Sequence, residues 1–333
     1  MSTNFLIILR NIYTSTIISD IMIYVKNCIA GEAAVINERY VREITEKCAT
    51  ERGGTFAGKC SFHVGGEIAL CVIAKSAEEL IFAVEKAEEY GEKYVVLGNM
   101  TNILPPDALY DGTVIVTSQM CNITAGNDRF KADAGFSLTK LSVLARDAGL
   151  SGLEFAYGIP GSVGGAIYMN AGAYGGNMAD IVTEVTAYSP KEKRIKVYSN
   201  AGCGFGYRES VFKSNGEIII SAEMKLTPED AERISSDCER NMAARREKQP
   251  LDKPSAGSTF RRPEGYYAGA LIEQAGLKGF SIGGASVSEK HAGFVINAGG
   301  ASSADISMLI SEIKKRVYEF SGVMLEEEII YIK

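Results

Sequence analysis

Three side chains able to move protons or stabilise negative charge stand in short, distinctive stretches of this sequence. Ser258 lies among small residues ahead of two arginines in SAGSTFRR (255–262), and Arg208 follows an aromatic pair in FGYRESVFK. Glu328 ends the run LEEE, where strand alternation places it on the same face as Glu326 and opposite Glu327. A hydroxyl, a guanidinium and a carboxylate together can protonate a carbon and hold a developing anion. Taken singly, each is better explained structurally, as a turn serine, a surface arginine and a solvated acidic edge.

Two glycine-containing stretches are candidates for binding a ligand through their backbone. LGNMTN (97–102) follows a short predicted strand and offers backbone N–H groups with hydroxyl and amide donors, which suits a pyrophosphate. By itself such a stretch is more often an ordinary turn. Residues 158–176 hold seven glycines among apolar side chains, which indicates a packed loop against a flat ligand and not a flexible linker. Their spacing does not match the dinucleotide-binding GxGxxG pattern.

A mixture of helices and strands must position these residues. Ser76 and Glu79 form a capping signal for a helix that ends at Gly91. Thr227 as N-cap with Pro228 in the first helical position predicts a second helix, ending near residue 248. Further predicted helices cover 138–148 and 305–320, and predicted strands cover 94–97, 182–188, 195–198, 218–226 and 323–332. Because helices and strands do not alternate strictly, we predict an α+β fold and not a doubly wound one.

Composition and breaker residues divide the chain into three parts. Residues 1–50 are an N-terminal extension and lead-in, 51–227 a first domain and 228–333 a second domain. Apolar stretches in the extension are interrupted by Arg10 and Asp20, and none reaches the roughly 18 apolar residues of a membrane span. We interpret residues 1–21 as an upstream extension, with Met22 as the natural start.

Charge and cysteine content exclude several classes of function. A formal net charge of −6 argues against general affinity for nucleic acid or an anionic membrane. Seven cysteines without a CxxC pair, together with only two histidines, cannot build a zinc-spaced cluster, so no metal is predicted. Scattered thiols of this kind predict a cytoplasmic protein with reduced cysteines. No exposed apolar stripe is evident, and we predict a monomer.

Taken in order, the motifs resemble the UDP-N-acetylenolpyruvoylglucosamine reductase (UDP-N-acetylmuramate dehydrogenase) family of peptidoglycan synthesis. The resemblance covers about Lys59 to Ile332; any one motif is weak, whereas eight in family order are specific. They are SFHVGG, LGNMTNIL with DGTVI, GIPGSVGGAIYMNAGAYGG, GYRESVFK, KQPLDKPSAGSTF, LIEQAGLKG, VSEKHAGFVIN and LEEEI. The short segment between Arg208 and Ser258 is similar to the type II form of the family.

This resemblance implies a fold and a reaction. The fold is a two-part FAD-binding domain of the vanillyl-alcohol-oxidase/PCMH type, followed by a C-terminal α+β substrate-binding domain. NADPH reduces the flavin, and hydride then passes to C3 of the enolpyruvyl group of a UDP-sugar enolpyruvyl ether, giving UDP-N-acetylmuramate. The resemblance makes Ser258 the proton donor to C2. It makes Arg208 and Glu328 the residues that stabilise the enolate-like carboxylate.

The resemblance also implies residues that bind the cofactor and the substrate. Residues expected to hold FAD are Gly98, Asn99, Thr101, Asn102, Ile103, Gly161, Ser162, Gly164 and Gly165. Residues expected to hold the substrate are Tyr174, Tyr207 and Lys248. No metal site is implied.

The sequence departs from the family pattern in ways that bear on flavin affinity. Met100 stands where the family loop has its second glycine, and a left-handed backbone there would cost a methionine about 1 kcal/mol or more. Ile330 replaces the usual arginine, and Cys60 stands where threonine is common. Two alternatives therefore stay open: a flavin-dependent oxidase or dehydrogenase of the same fold, and a flavin-less UDP-sugar-binding protein.

Overall fold

The structure, a computed structural model, describes residues 36–333, so the predicted start at Met22 lies outside the described residues. Helix α1 (Glu38–Lys47) begins where the Asn37 side chain accepts backbone N–H groups of the first turn. The buried Tyr40 and Ile44 of α1 belong to an apolar core shared with the first sheet and its crossover helix.

The first sheet has four strands and ends at one of the candidate loops. Its order is β1 (Ala49–Glu51), β2 (Ile68–Ile73), β5 (Tyr110–Val116) and β3 (Tyr94–Leu97). β2, β5 and β3 run parallel, and β1 is antiparallel to β2. Helix α2 (Ala77–Tyr90) joins β2 to β3, capped by Ser76 and ended by Gly91 at φ 67°, which confirms the predicted helix. The loop 98–102 follows the C-terminal end of β3, the edge at which parallel sheets commonly bind ligands.

The second sheet is antiparallel and carries the glycine-rich segment on one face. Its order is β12 (Arg194–Ser199), β11 (Val182–Ser189), β13 (Ile218–Lys225), β7 (Arg129–Asp133) and β6 (Ile123–Ala125). Apolar side chains of α3 (Leu138–Asp147) and α4 (Val163–Tyr168) share a core with β7, β11 and β13. The residues 158–176 are thus a packed segment, as predicted, although α4 within them is helical. Short pairs complete this region: β8 (Leu150–Ser151) with β14 (Thr227–Pro228), and β9 (Gly172–Ala173) with β10 (Gly176–Asn177).

A small α+β unit lies at the C-terminal end. It consists of α6 (Ala268–Gln274), α7 (Ser303–Ser321) and the antiparallel sheet of β15 (Ser281–Ile282), β16 (Ala285–Val287) and β17 (Val295–Asn297). The preceding helix, α5 (Ala231–Lys248), packs instead against α3 and β8 beside the second sheet. The predicted apolar face of α7, including Ile306 and Ile313, is fully buried, and Gly322 ends the helix at φ 71°. No helix within residues 36–333 is long and apolar enough to cross a membrane. The α+β class is confirmed, while the domain limits at 51, 227 and 228 stay predictions.

The predicted start of α5 is wrong. Thr227 and Pro228 do not open the helix but pair with β8 as β14. The chain stays extended as far as Glu229, whose N–H donates to Gly149 O at 3.1 Å, and Asp230 caps the helix instead. A proline fits either role, because it has no N–H to satisfy; the antiparallel partner strand decides between them.

The predicted closing strand 323–332 is much shorter than expected. Within residues 323–332 the regular strand is limited to β18 (Ile330–Tyr331), which pairs in parallel with β4 (Ile103–Leu104). Just before it, Glu328 N donates to Thr259 O at 2.8 Å, and two residues later Ile330 N donates to Asn102 O at 3.0 Å. The segment thus changes partners within two residues, which prevents a long regular ladder and joins the C-terminal unit to the loop after β3.

Candidate active site

The predicted catalytic residues line one cleft of about 370 Å³. Arg208 and Tyr207 come from a turn that follows the second sheet's β12, Ser258 from the extended segment before α6, and Glu328 from the closing segment. The other lining residues are Phe260, Arg262, Tyr267, Ala268, Gly269, Ala270, Glu273, Lys290, His291, Ala292 and Gly293. The fold therefore brings together a hydroxyl, a guanidinium and a carboxylate that are far apart in the chain.

Arg208 and Glu328 form a largely buried ion pair. Arg208 Nε donates to Glu328 Oε1 at 2.7 Å, and Nη2 donates to Gly172 O at 3.0 Å. The two side chains are only 21% and 13% exposed, so water weakens their attraction little. Within residues 36–333, Nη1 of Arg208 has no acceptor, and this edge of the guanidinium is free for an anionic ligand.

Ser258 is exposed in the cleft, and the residue that follows it is buried and hydrogen-bonded. Its hydroxyl makes no hydrogen bond with any residue from 36 to 333. The next residue, the fully buried Thr259, is held on both sides: its N–H donates to Gly293 O at 2.9 Å, and its Oγ1 accepts from Val295 N at 3.0 Å. The backbone of Ser258 is thereby fixed while its hydroxyl stays available to a ligand.

His291 lines the same cleft and was not singled out from the sequence. Its Nδ1 accepts the N–H of Gly293 at 3.0 Å, so the proton of the neutral ring sits on Nε2. The ring packs against Phe294, and burial lowers the pKa of His291 from its usual value of 6.5. The only sequence signal was its place inside the family motif VSEKHAGFVIN.

We expect the stability advantage of the wild type over His291→Gln to shrink as the pH falls from about 7.5 to about 5. The pKa of this histidine is lower in the folded than in the unfolded state. Its contribution to stability is therefore complete above the unfolded pKa and is lost as the pH falls through the folded pKa. Urea titrations of both proteins at each pH measure the two free energies of unfolding. A difference that stays constant over this range would contradict the prediction.

The loop after β3 and the glycine-rich segment together offer unpaired backbone donors. Among residues 36–333, no acceptor receives the N–H groups of Asn99, Met100 and Thr101. Thr101 Oγ1 donates to Pro160 O at 3.2 Å, which joins the two loops. At Gly98 a Cβ atom would collide with Ser162 Oγ, so only glycine allows this close approach. A run of free N–H groups beside glycine fits the pyrophosphate of FAD.

The cofactor residues implied by the resemblance fall into two groups, those with backbone N–H groups that have no acceptor in the described part of the chain and those whose polar groups are already bonded within the protein. The N–H groups of Gly161 and Ser162 have no acceptor within residues 36–333, and they are available to an anion. Gly164 N donates to Ala134 O at 2.8 Å and Gly165 N to Ser162 Oγ at 3.3 Å, so these two donors are occupied. Asn102 and Ile103 bond to the closing segment, where Asn102 Nδ2 donates to Glu328 O at 3.2 Å. Their direct contact with FAD stays a prediction.

Met100 does occupy a left-handed backbone position, as the comparison with glycine suggested. Its φ is 52°, and its side chain is only 6% exposed within the core that includes Ile103. The backbone strain is therefore accompanied by burial of a large apolar side chain.

Met100→Gly should destabilise the protein by about 2 kcal/mol, although it removes the strain. Loss of a buried methionine side chain costs about 2–5 kcal/mol, whereas relief of a left-handed residue returns about 1 kcal/mol. The matched control is Lys193→Gly, because Lys193 has φ 50° and is exposed, so only the relief applies. Urea unfolding should show a loss for the first variant and a small gain for the second. A higher free energy of unfolding for both variants would mean that burial of the Met100 side chain does not stabilise the protein.

The residues expected to bind the substrate are not all in the cleft. Tyr207 is, and its hydroxyl accepts the N–H of Arg262 at 3.2 Å. Tyr174 is 48% exposed and Lys248 is exposed on the last turn of α5, but neither lines the cleft. Nearby Arg245, which the sequence did not single out, has its pKa lowered by burial and lies against Gly158.

Comparisons with known proteins agree with this geometry. The family model described as the C-terminal domain of UDP-N-acetylenolpyruvoylglucosamine reductase matches residues 249–332, and one described as an FAD binding domain matches residues 68–198. FAD is therefore the cofactor, as predicted, and the flavin-less alternative loses its support. The enzyme is an FAD-dependent oxidoreductase.

Full-length relatives extend the match over most of the chain. The UDP-N-acetylenolpyruvoylglucosamine reductase of Syntrophomonas wolfei is 44% identical over 270 residues, covering 81% of this chain and 90% of the relative. That of Fervidobacterium nodosum is 44% identical over 275 residues, covering 82% and 88%. The crystal structure of the Thermus caldophilus reductase is similar with a TM-score of 0.74 at 34% identity, covering 86% of this chain and all of that one. The chain thus belongs to the UDP-N-acetylenolpyruvoylglucosamine reductase family.

Proposed function

We propose that this chain reduces UDP-N-acetylglucosamine enolpyruvate to UDP-N-acetylmuramate with hydride from NADPH, a step in the synthesis of peptidoglycan precursors. One observation carries the proposal: Ser258, Arg208 and Glu328 line a single cleft, with Arg208 and Glu328 in a buried ion pair. The small-molecule UDP-sugar substrate would enter this cleft with its enolpyruvyl group toward the loop after β3.

The cofactor site is proposed at the two adjoining loops. Backbone N–H groups of Asn99, Thr101 and Gly161 would bind the pyrophosphate of FAD, because none has an acceptor within residues 36–333. Held by these residues, the cofactor would supply hydride chemistry to the site, with NADPH as the source of the hydride and C3 of the enolpyruvyl group as its destination. Asn102, the last residue of this loop, connects it to the segment that carries the catalytic carboxylate, since its side chain donates to the main-chain carbonyl of Glu328.

Arg208 is proposed to bind the enolpyruvyl carboxylate. Addition of hydride at C3 moves an electron pair toward C2 and the carboxylate, so negative charge increases there in the transition state. The free Nη1 edge of Arg208 is placed to receive that charge, and a charge-assisted hydrogen bond of this kind strengthens as the charge develops. Glu328 holds the opposite edge through Nε and thereby orients the guanidinium.

Ser258 is proposed to complete the reaction by donating its proton to C2. The new C–H bond takes the electron pair of the carbanion, and the O–H bond electrons remain on the serine oxygen. A serine is a weak acid, but the carbanion is a much stronger base, so the transfer is favourable when the alkoxide is stabilised. Arg262 and Lys290 line the same cleft and supply positive charge there.

The cysteines and the net charge support a proposal for the cellular setting of the protein. The six cysteines among residues 36–333 are free thiols, and five of them are buried, which suits the reducing cytoplasm. We propose that the protein acts as a monomer and binds no nucleic acid, in keeping with its net charge of −6.

Visible absorbance of the purified protein tests the proposal. The flavin bands should bleach under anaerobic NADPH and return when UDP-N-acetylglucosamine enolpyruvate is added. Bands that bleach with NADPH but ignore this substrate would instead indicate an oxidase or dehydrogenase of another specificity. Failure to bind FAD, even after reconstitution, would overturn the proposal altogether.

A further inference from the structure

Arg208 lies at a turn position that an arginine seldom occupies. Gly206 and Glu209 pair through two backbone hydrogen bonds of 3.0 and 3.2 Å, so Tyr207 and Arg208 are the two central residues of a tight turn. Arg208 has φ 57°, the left-handed conformation that glycine or asparagine usually supplies at the second central position. A strained residue of this kind persists only where its surroundings hold it in place.

Two cationic side chains bind the carbonyl oxygen of Arg208. Lys213 Nζ and Arg261 Nη2 each donate to it at 3.1 Å. Arg261 also forms an ion pair with Glu209, the last residue of the turn. Lys213 belongs to the same loop as Arg208, whereas Arg261 is 53 residues further along the chain. Only Arg261 of these two cations therefore connects the turn to another part of the fold.

The main chain of Arg261 is fixed to the segment that carries Glu328. Arg261 N donates to Glu326 O at 2.8 Å, and the preceding Phe260 pairs with Glu327 in an isolated bridge. Two residues beyond Glu326, the carboxylate of Glu328 accepts from Arg208 Nε at 2.7 Å. Arg261 thus contacts the closing segment with its backbone and, through an ion pair of Nη1 with Glu326 at 3.6 Å, with its side chain, while Nη2 binds the turn of Arg208.

We propose that Arg261 is a positioning residue for Arg208, holding the turn against the closing segment so that the guanidinium faces both Glu328 and the substrate carboxylate. This inference rests on the proposed function. Arg261 is absent from the lining of the cleft, and its guanidinium already binds Arg208 O and Glu209, so it acts through Arg208 and not on the substrate. Without it, the strained turn can relax and shift the Arg208 guanidinium away from the reacting group.

Arg261→Met in the FAD-loaded protein tests this role. Hydride transfer from reduced flavin to the enolpyruvyl substrate should slow by about 30- to 100-fold, the loss expected when a reacting group is displaced by about 1 Å. Flavin reduction by NADPH, FAD content and melting temperature should stay near the wild-type values. A readout without turnover is the affinity for UDP-N-acetylmuramate by calorimetry, which should weaken because Arg208 would bind the product's carboxylate.

Two further variants separate positioning from general stabilisation. Arg261→Lys should recover part of the rate, because Lys213 shows that an ammonium group can bind the same carbonyl. Arg316→Met removes a comparable arginine–glutamate pair, with Glu312 on α7, and should leave both half-reactions unchanged. If Arg261→Met matches the wild type, or if both half-reactions and the melting temperature fall together, the positioning role is wrong. A wild-type protein whose reduced flavin ignores the substrate would instead refute the proposed function itself.

Discussion

Ser258→Ala should lower the rate of substrate reduction by about 10³-fold while NADPH still reduces the flavin at the wild-type rate. General acid catalysis by a positioned side chain contributes about 10²- to 10⁴-fold, and the hydroxyl of Ser258 is the proposed acid in the cleft. Anaerobic stopped-flow absorbance measures the two half-reactions separately. Only the step that returns the flavin bands on addition of the enolpyruvyl substrate should slow.

Ser255→Ala is the matched control for this prediction. Ser255 lies three residues upstream in the same extended segment, paired by its backbone with Ile296, and it does not line the cleft. We expect it to retain wild-type rates in both half-reactions. Ser258→Cys should keep more activity than Ser258→Ala, because a thiol is also a proton donor. Equal rates for wild type and Ser258→Ala would assign the proton to another group.

Arg208→Met should slow the same half-reaction by about 10²- to 10³-fold, the effect of losing one preorganised donor to a developing anion. It should also raise the KM for the enolpyruvyl substrate, since the guanidinium binds the substrate carboxylate before hydride is transferred. Loss of Arg208 leaves the mostly buried Glu328 carboxylate without its partner, which adds to the cost. Steady-state kinetics with substrate varied at saturating NADPH give both constants.

Glu328→Gln serves as the graded comparison. Glutamine can still accept the hydrogen bond from Arg208 Nε but carries no charge, so we expect a loss of only about 10-fold, because orientation is partly kept. Arg129→Met, which removes an ion pair with Glu223 in the second sheet, is the control for losing an arginine elsewhere. Arg208→Met and Arg129→Met behaving alike would show that the guanidinium has no special role in the cleft.

The sequence correctly predicted helix ends and buried helix faces, which depend on residues close together in the chain. Ser76 and Gly91 bounded α2 because a hydroxyl cap and a left-handed glycine act within a few residues. The apolar period of α7 likewise identified its buried face. At Met100 the sequence raised only the cost of a left-handed backbone if the position required one, and the structure shows that it does, with φ 52°.

Predictions from local sequence failed where two conformations were possible and pairing with a distant segment of the chain determined which one formed. Pro228 suited a helix start, yet pairing with Leu150 kept it extended. The apolar and acidic alternation before Ile332 suited a long strand, yet the segment bonds first to Thr259 and then to Asn102. These partners are far from the segment in sequence, so the pattern of neighbouring residues does not reveal them.

The sequence by itself determined the family, the α+β class and the cofactor, because motif order and local periodicity are properties of the chain alone. Tertiary structure alone decided that Arg208 and Glu328, 120 residues apart, form one ion pair, that Arg261 binds the carbonyl of Arg208, and that His291 lines the same cleft. Those contacts depend on how a turn, an extended segment and the chain's end converge in space. Hydrogen bonds and ion pairs act over about 3 Å, a distance that sequence separation does not encode.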